Sequence, residues 1–339
     1  MFFKKVACFT DIHFGMKGNS RVHNDDCEAF VYWFIEQAKL HGCETCIFLG
    51  DWHHQRSATN VSTMNYTVSN MERLGAAFEK VYVIMGNHDL FYREKREINS
   101  MEFIRNIPNI HLVNEWIVED DVAIIPWIVN DEWKKIEKMS QKYVFGHFEL
   151  PYFKMNAMVE MPDVGTIKTE HFKNCGEVFT GHFHKRQQNA NVTYMGNAFP
   201  HNYADAWDDE RGMMIIDYGK EPKYINWPDM PRYRTIKISE LLADPDKVLK
   251  PKMYVRVSLD IKISYEEANF IRETFIDRYK LRELQLIPEQ IDKAQQPTVA
   301  VQKFDSVDQI VIKQLQGVDS ETYDKNILTA IYNDLDVNN

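Results

Sequence analysis

Five short apolar runs in this chain each end in glycine or threonine, and each is followed at once by a side chain that can bind a metal ion. The runs cover residues 6–10 before Asp11, 47–50 before Asp51, 81–86 before Asn87, 143–146 before His147 and 178–181 before His182. Continuous apolar runs of this length are typical of strands that are buried on both faces of a sheet. The sequence therefore predicts five buried strands, each with a metal-capable residue at its carboxyl end.

Amphipathic stretches at residues 28–40 and 64–78 lie between the first three of these runs. The alternation of strand and helix predicts an α/β fold, here a sandwich of two sheets with helices outside. Ligands in such folds bind beyond the carboxyl ends of the strands, so the five strand ends are expected to meet at one site. Two later β-like segments, residues 192–195 and 213–218, are predicted to complete the second sheet.

The character of the chain changes after residue 231. Residues 252–260 alternate like a strand, Ser264 to Glu267 form a capping box that opens a helix, and residues 284–287 favour another strand. The domain boundaries predicted from these shifts are 1–231 for the main domain, 232–290 for a small α+β unit, 291–304 for a linker and 305–339 for a helical tail. The tail helices either fold back on the core or dock on another protein.

Charge and composition limit the possible classes of protein. The 339 residues carry a net charge of −10, which argues against a basic sleeve for nucleic acid, although bound metal ions can supply local positive charge to a nuclease. No apolar run approaches the ~20 residues of a membrane helix. Five scattered cysteines without an export signal favour reduced thiols in the cytoplasm, with Cys43 and Cys46 as buried cysteines rather than zinc or redox groups.

The strand ends form a set of motifs. They are Asp11-x-His13, Gly50-Asp51, Gly86-Asn87-His88-Asp89, Gly146-His147 and Gly181-His182-Phe183-His184. Each motif is common by itself, but all five at successive strand ends are specific. Carboxylate, imidazole and amide oxygen together suit Mn, Fe or Zn ions better than Ca or Mg. One carboxylate can bridge two ions about 3.5–4 Å apart, the arrangement of a two-metal phosphoester hydrolase.

These motifs resemble those of the calcineurin-like metallophosphoesterase superfamily and, more closely, those of the SbcD-type nuclease subunits of double-strand-break repair complexes, including bacteriophage versions. The motif resemblance covers roughly residues 5–215. It implies a first metal site at Asp11, His13 and His184, a second at Asn87, His147 and His182, and a bridging carboxylate at Asp51.

The resemblance also implies catalytic roles. His88 matches the family's catalytic histidine, Asp89 would orient its imidazole, and His54, three residues after Asp51, would help to position DNA. His53 is expected to be structural or to support a ligand. The family usually has serine where Asn197 stands, which leaves the role of Asn197 open. The remaining histidines singled out are expected to lie on the surface or to be satisfied polar groups: His23, His41, His111, His171 and His201.

By resemblance, the chain would be a DNA exonuclease and endonuclease that uses two divalent ions, with Mn²⁺ as the expected metal and Mg²⁺, Fe²⁺ or Zn²⁺ as alternatives. Its expected partners are duplex ends, single-stranded or hairpin DNA and an SbcC-like ATPase bound by residues 305–339, within a dimer-based heterotetramer. Residues 232–290 would form a DNA-positioning cap, and no membrane is expected. Polarity from 3′ to 5′ also follows only from the resemblance. The alternatives are a phosphatase, a cyclic-nucleotide or dinucleotide phosphodiesterase, and a non-catalytic scaffold.

Two further features remain open at this stage. The mixed charge run of residues 93–96 forms either a solvated face or a contact with phosphate. Trp127, at the end of the apolar run 122–125, lies either in the core or against the cleft, with the core favoured.

Overall fold

The structure is a computed structural model, and it describes residues 1–155 and 159–288 together with residues 324, 327 and 328. Within these residues, fifteen strands form three sheets. In chain order the strands are β1 Lys5–Phe9, β2 Thr45–Phe48, β3 Lys80–Ile84, β4 Ile110–Val113, β5 Ile117–Glu119, β6 Val122–Ile125, β7 Tyr143–His147, β8 Glu177–Gly181, β9 Gln187–Asn189, β10 Val192–Tyr194, β11 Gly212–Asp217, β12 Lys223–Asn226, β13 Tyr233–Lys237, β14 Tyr254–Leu259 and β15 Glu283–Pro288.

Two six-stranded sheets form the main body of the described chain. The first has the order β12-β11-β1-β2-β3-β4, and the second has the order β5-β6-β7-β8-β10-β9. The strands from β1 to β4 are parallel, as are β6, β7, β8 and β10, while β11 pairs antiparallel with β1. The prediction of an α/β two-sheet sandwich is confirmed. The prediction that residues 213–218 complete the second sheet is wrong, because β11 instead extends the first sheet beside β1.

The helices and 3₁₀ segments cover the sheets and the loops between them. The α-helices are α1 Met16–Asn19, α2 Arg21–Leu40, α3 Val61–Ala77, α4 Ile238–Ala243, α5 Pro245–Val248 and α6 Tyr265–Tyr279. The 3₁₀ segments are Glu102–Asn106, Asn130–Lys138, Thr169–Phe172 and Tyr203–Asp205.

The five apolar runs are continuous because both faces of their strands are buried. On β1, Ala7 and Phe9 face the helices and pack in one core with Phe34 of α2, whereas Val6 and Cys8 belong to a second core that joins the two sheets. A strand with one solvated face would alternate apolar and polar residues instead. Burial on both faces therefore leaves only the carboxyl ends of these strands for polar chemistry.

Gly50 allows two of those strand ends to approach each other. Its φ of +103° lies in the left-handed region, and a Cβ there would come within 2.5 Å of His147 Nδ1 and 2.9 Å of the Gly86 backbone. A side chain at position 50 would therefore displace the loops that carry the polar residues.

The third sheet is parallel, in the order β13-β14-β15, and packs with α4 to α6 around its own core, which includes Leu241, Val255 and Leu284. The strands predicted at 252–260 and 284–287 are confirmed by β14 and β15. The capping box that opens α6 is also confirmed, because Ser264 and Glu267 exchange backbone-to-side-chain hydrogen bonds. The domain boundary at residue 231 stays a prediction.

All five cysteines are buried free thiols, and Cys46 lies in β2, as predicted. None of the helices in the described part of the chain combines the length and the apolar character that a bilayer span requires. Met1–Glu289 forms one compact unit. The predicted linker at 291–304 and the predicted tail helices at 305–339 lie outside the described residues, apart from residues 324, 327 and 328.

Candidate metal centre

The first predicted ligand group lies where β1 and β8 end. Asp11 and His13 follow β1, and His184 follows β8. The Nε2 atoms of His13 and His184 are 3.2 Å apart, and they lie 3.8 and 3.9 Å from Asp11 Oδ1. The ligand atoms of these three side chains lie close enough together to hold one metal ion.

The second predicted group lies at the ends of β3, β7 and β8. Asn87 Oδ1 is 3.3 Å from His147 Nε2 and 2.8 Å from His182 Nδ1. Together with Asp51, the two histidines form a second cluster whose ligand atoms converge closely enough for a metal ion. The polar residues of five strand ends therefore meet in two neighbouring groups.

Asp51 lies between the two groups. Its Oδ2 atom is 3.8 Å from His13 Nε2 in the first group and 3.4 Å from His147 Nε2 in the second. Its Oδ1 atom accepts a hydrogen bond of 2.8 Å from the peptide N–H of His88, which fixes the carboxylate. This is the position that a bridging ligand requires.

The hydrogen bonds of the second group leave room for a cation. His147 Nδ1 lies 2.7 Å from the Leu49 carbonyl, which can only accept, so Nδ1 carries a proton and Nε2 is the nitrogen that faces the site. Nε2 lies against the oxygens of Asp51 and Asn87, and in the neutral imidazole it is an acceptor as they are. Acceptors that face one another require a proton or a metal ion between them, and the carbonyl contact is the orientation that metal-binding histidines typically have.

The electrostatics of His147 support the same conclusion. Burial alone would lower the pKa of this imidazole, but the charge and hydrogen bond of Asp51, with a further contribution from Asp11, raise the pKa to about 9. The pKa of Asp51 is in turn held well below its usual range, because His147 outweighs the effect of burial. The pocket therefore attracts positive charge.

The backbone at the site is strained in a way that ordinary loops avoid. Four of the proposed ligands have φ values in the left-handed region: Asp11 at 50°, His13 at 54°, Asp51 at 62° and His182 at 92°. Each such residue costs on the order of 1–3 kcal/mol and persists only where the surrounding fold determines it. The sandwich therefore stabilises a backbone arrangement that brings these side chains together.

His88 and His54 lie beside the first group. Their rings stack with centroids 5.5 Å apart, and the His88 ring lies 5.0 Å from that of His13. The His88 Nδ1–H donates to the His54 carbonyl at 2.6 Å, since that oxygen can only accept. His88 therefore presents Nε2 as the nitrogen that can exchange a proton.

The expectation that Asp89 orients the His88 imidazole needs correction. Both oxygens of the Asp89 carboxylate accept hydrogen bonds from peptide N–H groups, at Asp51, Trp52, His53 and Gly86. The His88 ring is held by the His54 carbonyl instead. Asp89 thus connects the loops after β2 and β3, and it acts on the site through the backbone of Asp51.

Glu149 is a site residue that the sequence reasoning missed. Its Oε1 atom lies 3.3 Å from His182 Nε2 and accepts a 2.6 Å ion-pair contact from Arg93. The hydrogen bond from His182 is the main reason that the pKa of Glu149 falls to about 2. The signal was the position of Glu149 two residues after His147, where an extended chain returns to the same face.

The charge run at residues 93–96 and Trp127 each combine a structural role with a position at the site. Arg93 reaches Glu149 at the site, whereas Arg96 forms two 2.7 Å hydrogen bonds with Glu132 and is a structural residue. The Trp127 ring is buried, as favoured, but it also lies 5.3 Å from the His182 ring, so it belongs to both core and cleft. His53 is structural as expected, because its two nitrogens contact Ser100 and Thr67.

His201 is neither a surface residue nor a satisfied one, contrary to expectation. It is fully buried, its ring lies 5.4 and 5.3 Å from those of His13 and His184, and within the described residues neither of its ring nitrogens has a hydrogen-bond partner. Asn197 is also buried, and its Oδ1 accepts a hydrogen bond from Arg211, so it is a packing residue.

Comparisons with known proteins agree with this geometry. The model of the calcineurin-like phosphoesterase family matches residues 4–186. "Exonuclease subunit 1" of Enterobacteria phage T4 is 27% identical over 222 residues, which cover 63% of this chain and 64% of that protein. The match thus spans less than two thirds of the length of that relative.

Two solved structures are also similar. The Pseudomonas putida nuclease MPE is 20% identical with a TM-score of 0.29, and the match covers 53% of this chain and 62% of that one. The phosphoesterase Yfce from E. coli is 12% identical with a TM-score of 0.35, and the match covers 67% of this chain and 94% of that one.

Proposed function

This chain belongs to the calcineurin-like phosphoesterase family, and from that premise we propose that it is a two-metal phosphodiesterase that cuts DNA, as the nuclease subunit of a larger complex. One observation carries the proposal: two groups of metal-capable side chains lie side by side and share Asp51. The similarity to a phage exonuclease subunit supports DNA as the substrate.

Asp11, His13 and His184 would hold one ion, Asn87, His147 and His182 would hold the other, and Asp51 would contact both. When bound, such a pair supplies Lewis-acid stabilisation and an activated water for in-line displacement at phosphorus. The imidazole and carboxylate donors fit Mn²⁺, with Mg²⁺, Fe²⁺ and Zn²⁺ as alternatives.

The side chains around the ions would bind and orient the substrate. His88, with Nδ1–H held by the His54 carbonyl, presents Nε2 to the phosphate oxygen or to the leaving oxygen, and in the imidazolium form it can deliver the Nε2 proton there. The stacked ring of His54 would limit the positions open to the DNA backbone. Glu149 accepts from His182 Nε2 and keeps that ring in place.

The partner proposal rests on the tail at residues 305–339. These residues would dock on an SbcC-like ATPase in the host cytoplasm, as part of a dimer-based complex, and residues 232–290 would position the DNA. Removing residues 305–339 should abolish co-purification with the ATPase and leave metal-dependent cutting intact. Loss of the fold on truncation would instead support helices that pack on the core.

The substrate class is tested by a direct comparison. Purified chain loaded with Mn²⁺ is given linear duplex DNA, single-stranded DNA and p-nitrophenyl phosphate in parallel. We expect DNA cutting that chelation abolishes. Activity confined to the small phosphomonoester would contradict the nuclease proposal and favour a phosphatase of the same family.

A further inference from the structure

A cavity of about 260 Å³ adjoins the second ligand group. His147 and Glu149 are among the residues that line it, and its apolar lining includes Trp127, Trp133, Phe148 and Ile167. The pockets that bind drug-sized molecules measure roughly 300–1,000 Å³. This cavity is smaller, and its size suits one flat ring system beside the reacting phosphate.

Two tryptophan rings line the cavity. Trp127 is 7% exposed, and its Nε1–H donates to the Arg93 carbonyl at 3.0 Å. Trp133 lies on the 3₁₀ segment Asn130–Lys138, packs against a core cluster and is half-buried. Trp133 is therefore the ring that keeps accessible surface for stacking with another planar ring.

Charged side chains, among them Arg93 and Glu149, also line the cavity. The Arg93 guanidinium lies 5.0 Å from the centre of the Trp127 ring and pairs with Glu149 through Nη2. Among the hydrogen bonds between described residues, Nη2 is the only side-chain nitrogen of Arg93 that donates. The other donors of this planar group can therefore reach a phosphate oxygen, while Glu149 can accept from the N–H edge of a base.

We propose that this cavity binds one unstacked nucleobase of the strand being cut, with the attached phosphate directed to the metal ligands. The inference rests on the proposed function and adds a requirement to it: the nucleotide at the site must leave its helical stack. Frayed ends, single strands and hairpin loops meet that requirement at lower cost than paired duplex.

The test uses small phosphodiesters that differ only in the base. The p-nitrophenyl diesters of thymidine 5′-phosphate and thymidine 3′-phosphate are compared with the corresponding abasic diesters, with Mn²⁺ present throughout. For at least one of the two pairs we expect the base to lower KM by about fivefold or more. Equal KM values within both pairs would overturn the proposal.

Three variants link that effect to the cavity. Trp133→Ala should remove the base-dependent difference in KM, and Trp133→Phe should keep most of it, because a ring remains available for stacking. Trp207→Ala is the matched control, since Trp207 is 56% exposed and lies outside this cavity. An equal loss in Trp133→Ala and Trp207→Ala would also contradict the assignment.

Binding measurements separate the failure of this inference from failure of the proposed function. If the chain hydrolyses no phosphodiester, the nuclease proposal fails, and equilibrium dialysis still decides about the cavity. Thymidine 5′-monophosphate should then bind at least about fivefold more tightly than deoxyribose 5-phosphate, and only when Trp133 is intact. Equal binding of the two compounds would show that the cavity takes no base.

Discussion

At the scale of single residues, backbone carbonyls determine which nitrogen each site histidine presents. His147 and His88 both donate Nδ1–H to a carbonyl, of Leu49 and His54 respectively, so both present Nε2 to the cleft. The sequence identifies both histidines as site residues, but a motif contains no information about tautomers. Both carbonyls belong to the loop after β2, and only the fold brings them to the imidazoles.

Replacing His88 tests the catalytic assignment. His88→Ala should lower the rate of single-turnover DNA cutting by about 10²–10⁴-fold, the typical contribution of a positioned acid or base. Binding of Mn²⁺ should be unchanged, because His88 is assigned to neither ion. His111→Ala is the control, since His111 is an exposed residue of β4. Cutting at the wild-type rate by His88→Ala would refute the role.

Replacing Glu149 tests whether it supports the second metal site. Glu149→Ala should weaken binding of the second Mn²⁺ by about 10–100-fold, because the His182 ring loses the carboxylate that orients it. Titration calorimetry measures this without any substrate. Glu132→Ala is the control, because it removes a similar ion pair, with Arg96, that involves none of the proposed ligands. It should leave the affinities for both Mn²⁺ ions unchanged. Equal effects of the two variants would rule out a specific role for Glu149.

At the scale of elements, an ion pair joins the third sheet to the main sandwich within the compact unit. Arg282, just before β15, donates two 2.8 Å hydrogen bonds to the carboxylate of Asp26 on α2. The Asp26 side chain is only 6% exposed, and that of Arg282 is 21% exposed. Hydrogen bonds to charged groups in such surroundings are among the stronger polar contacts in a protein.

Removing the ion pair between Asp26 and Arg282 should lower the stability of the fold. Asp26→Ala should lower the free energy of unfolding by about 2–3 kcal/mol, because Arg282 would keep a largely buried charge without its partner. Chemical denaturation measures the change. Asp246→Ala, which breaks the exposed pair with Arg278, should cost no more than about 1 kcal/mol. Similar losses in the two variants would show that the Asp26 contact has no special weight.

At the scale of the whole molecule, charge opposes DNA binding except at the cleft. The net charge of −10 would become −6 with two divalent ions bound, and the added charge would be concentrated at the two ligand groups. The rest of an acidic surface repels a polyanion. The proposed nuclease would therefore take most of its phosphate contacts from a partner.

Because of this charge distribution, we expect the isolated chain to bind DNA weakly. Fluorescence anisotropy with duplex DNA should give dissociation constants of about 10⁻⁶ M or weaker at physiological salt, with a steep loss of affinity as salt rises. The measurement is made with Mn²⁺ and the His88→Ala variant, which is expected to bind the ions but to leave the DNA uncut. Tight binding that does not respond to salt would contradict the prediction.

Much of the fold and of the site was predictable because the signals are local. A strand buried on both faces must be apolar throughout, so the five runs and their polar ends can be recognised from the sequence, and all seven proposed ligands do meet in two groups. The errors involve contacts between distant segments. Three features depend on which distant segments face each other. They are the position of β11 in the first sheet, the four peptide N–H groups that donate to Asp89 and the burial of His201.

The sequence by itself determined the α/β class, the strand ends and which residues are proposed as ligands, because periodicity and residue chemistry act over a few neighbouring positions. The tertiary structure alone decided that Asp51 lies between the two ligand groups, that Glu149 supports His182 and that Trp127 forms a wall of both core and cavity. These relationships join residues on separate strands and loops. Their distances follow from how the two sheets pack, a property that no single segment of the chain possesses.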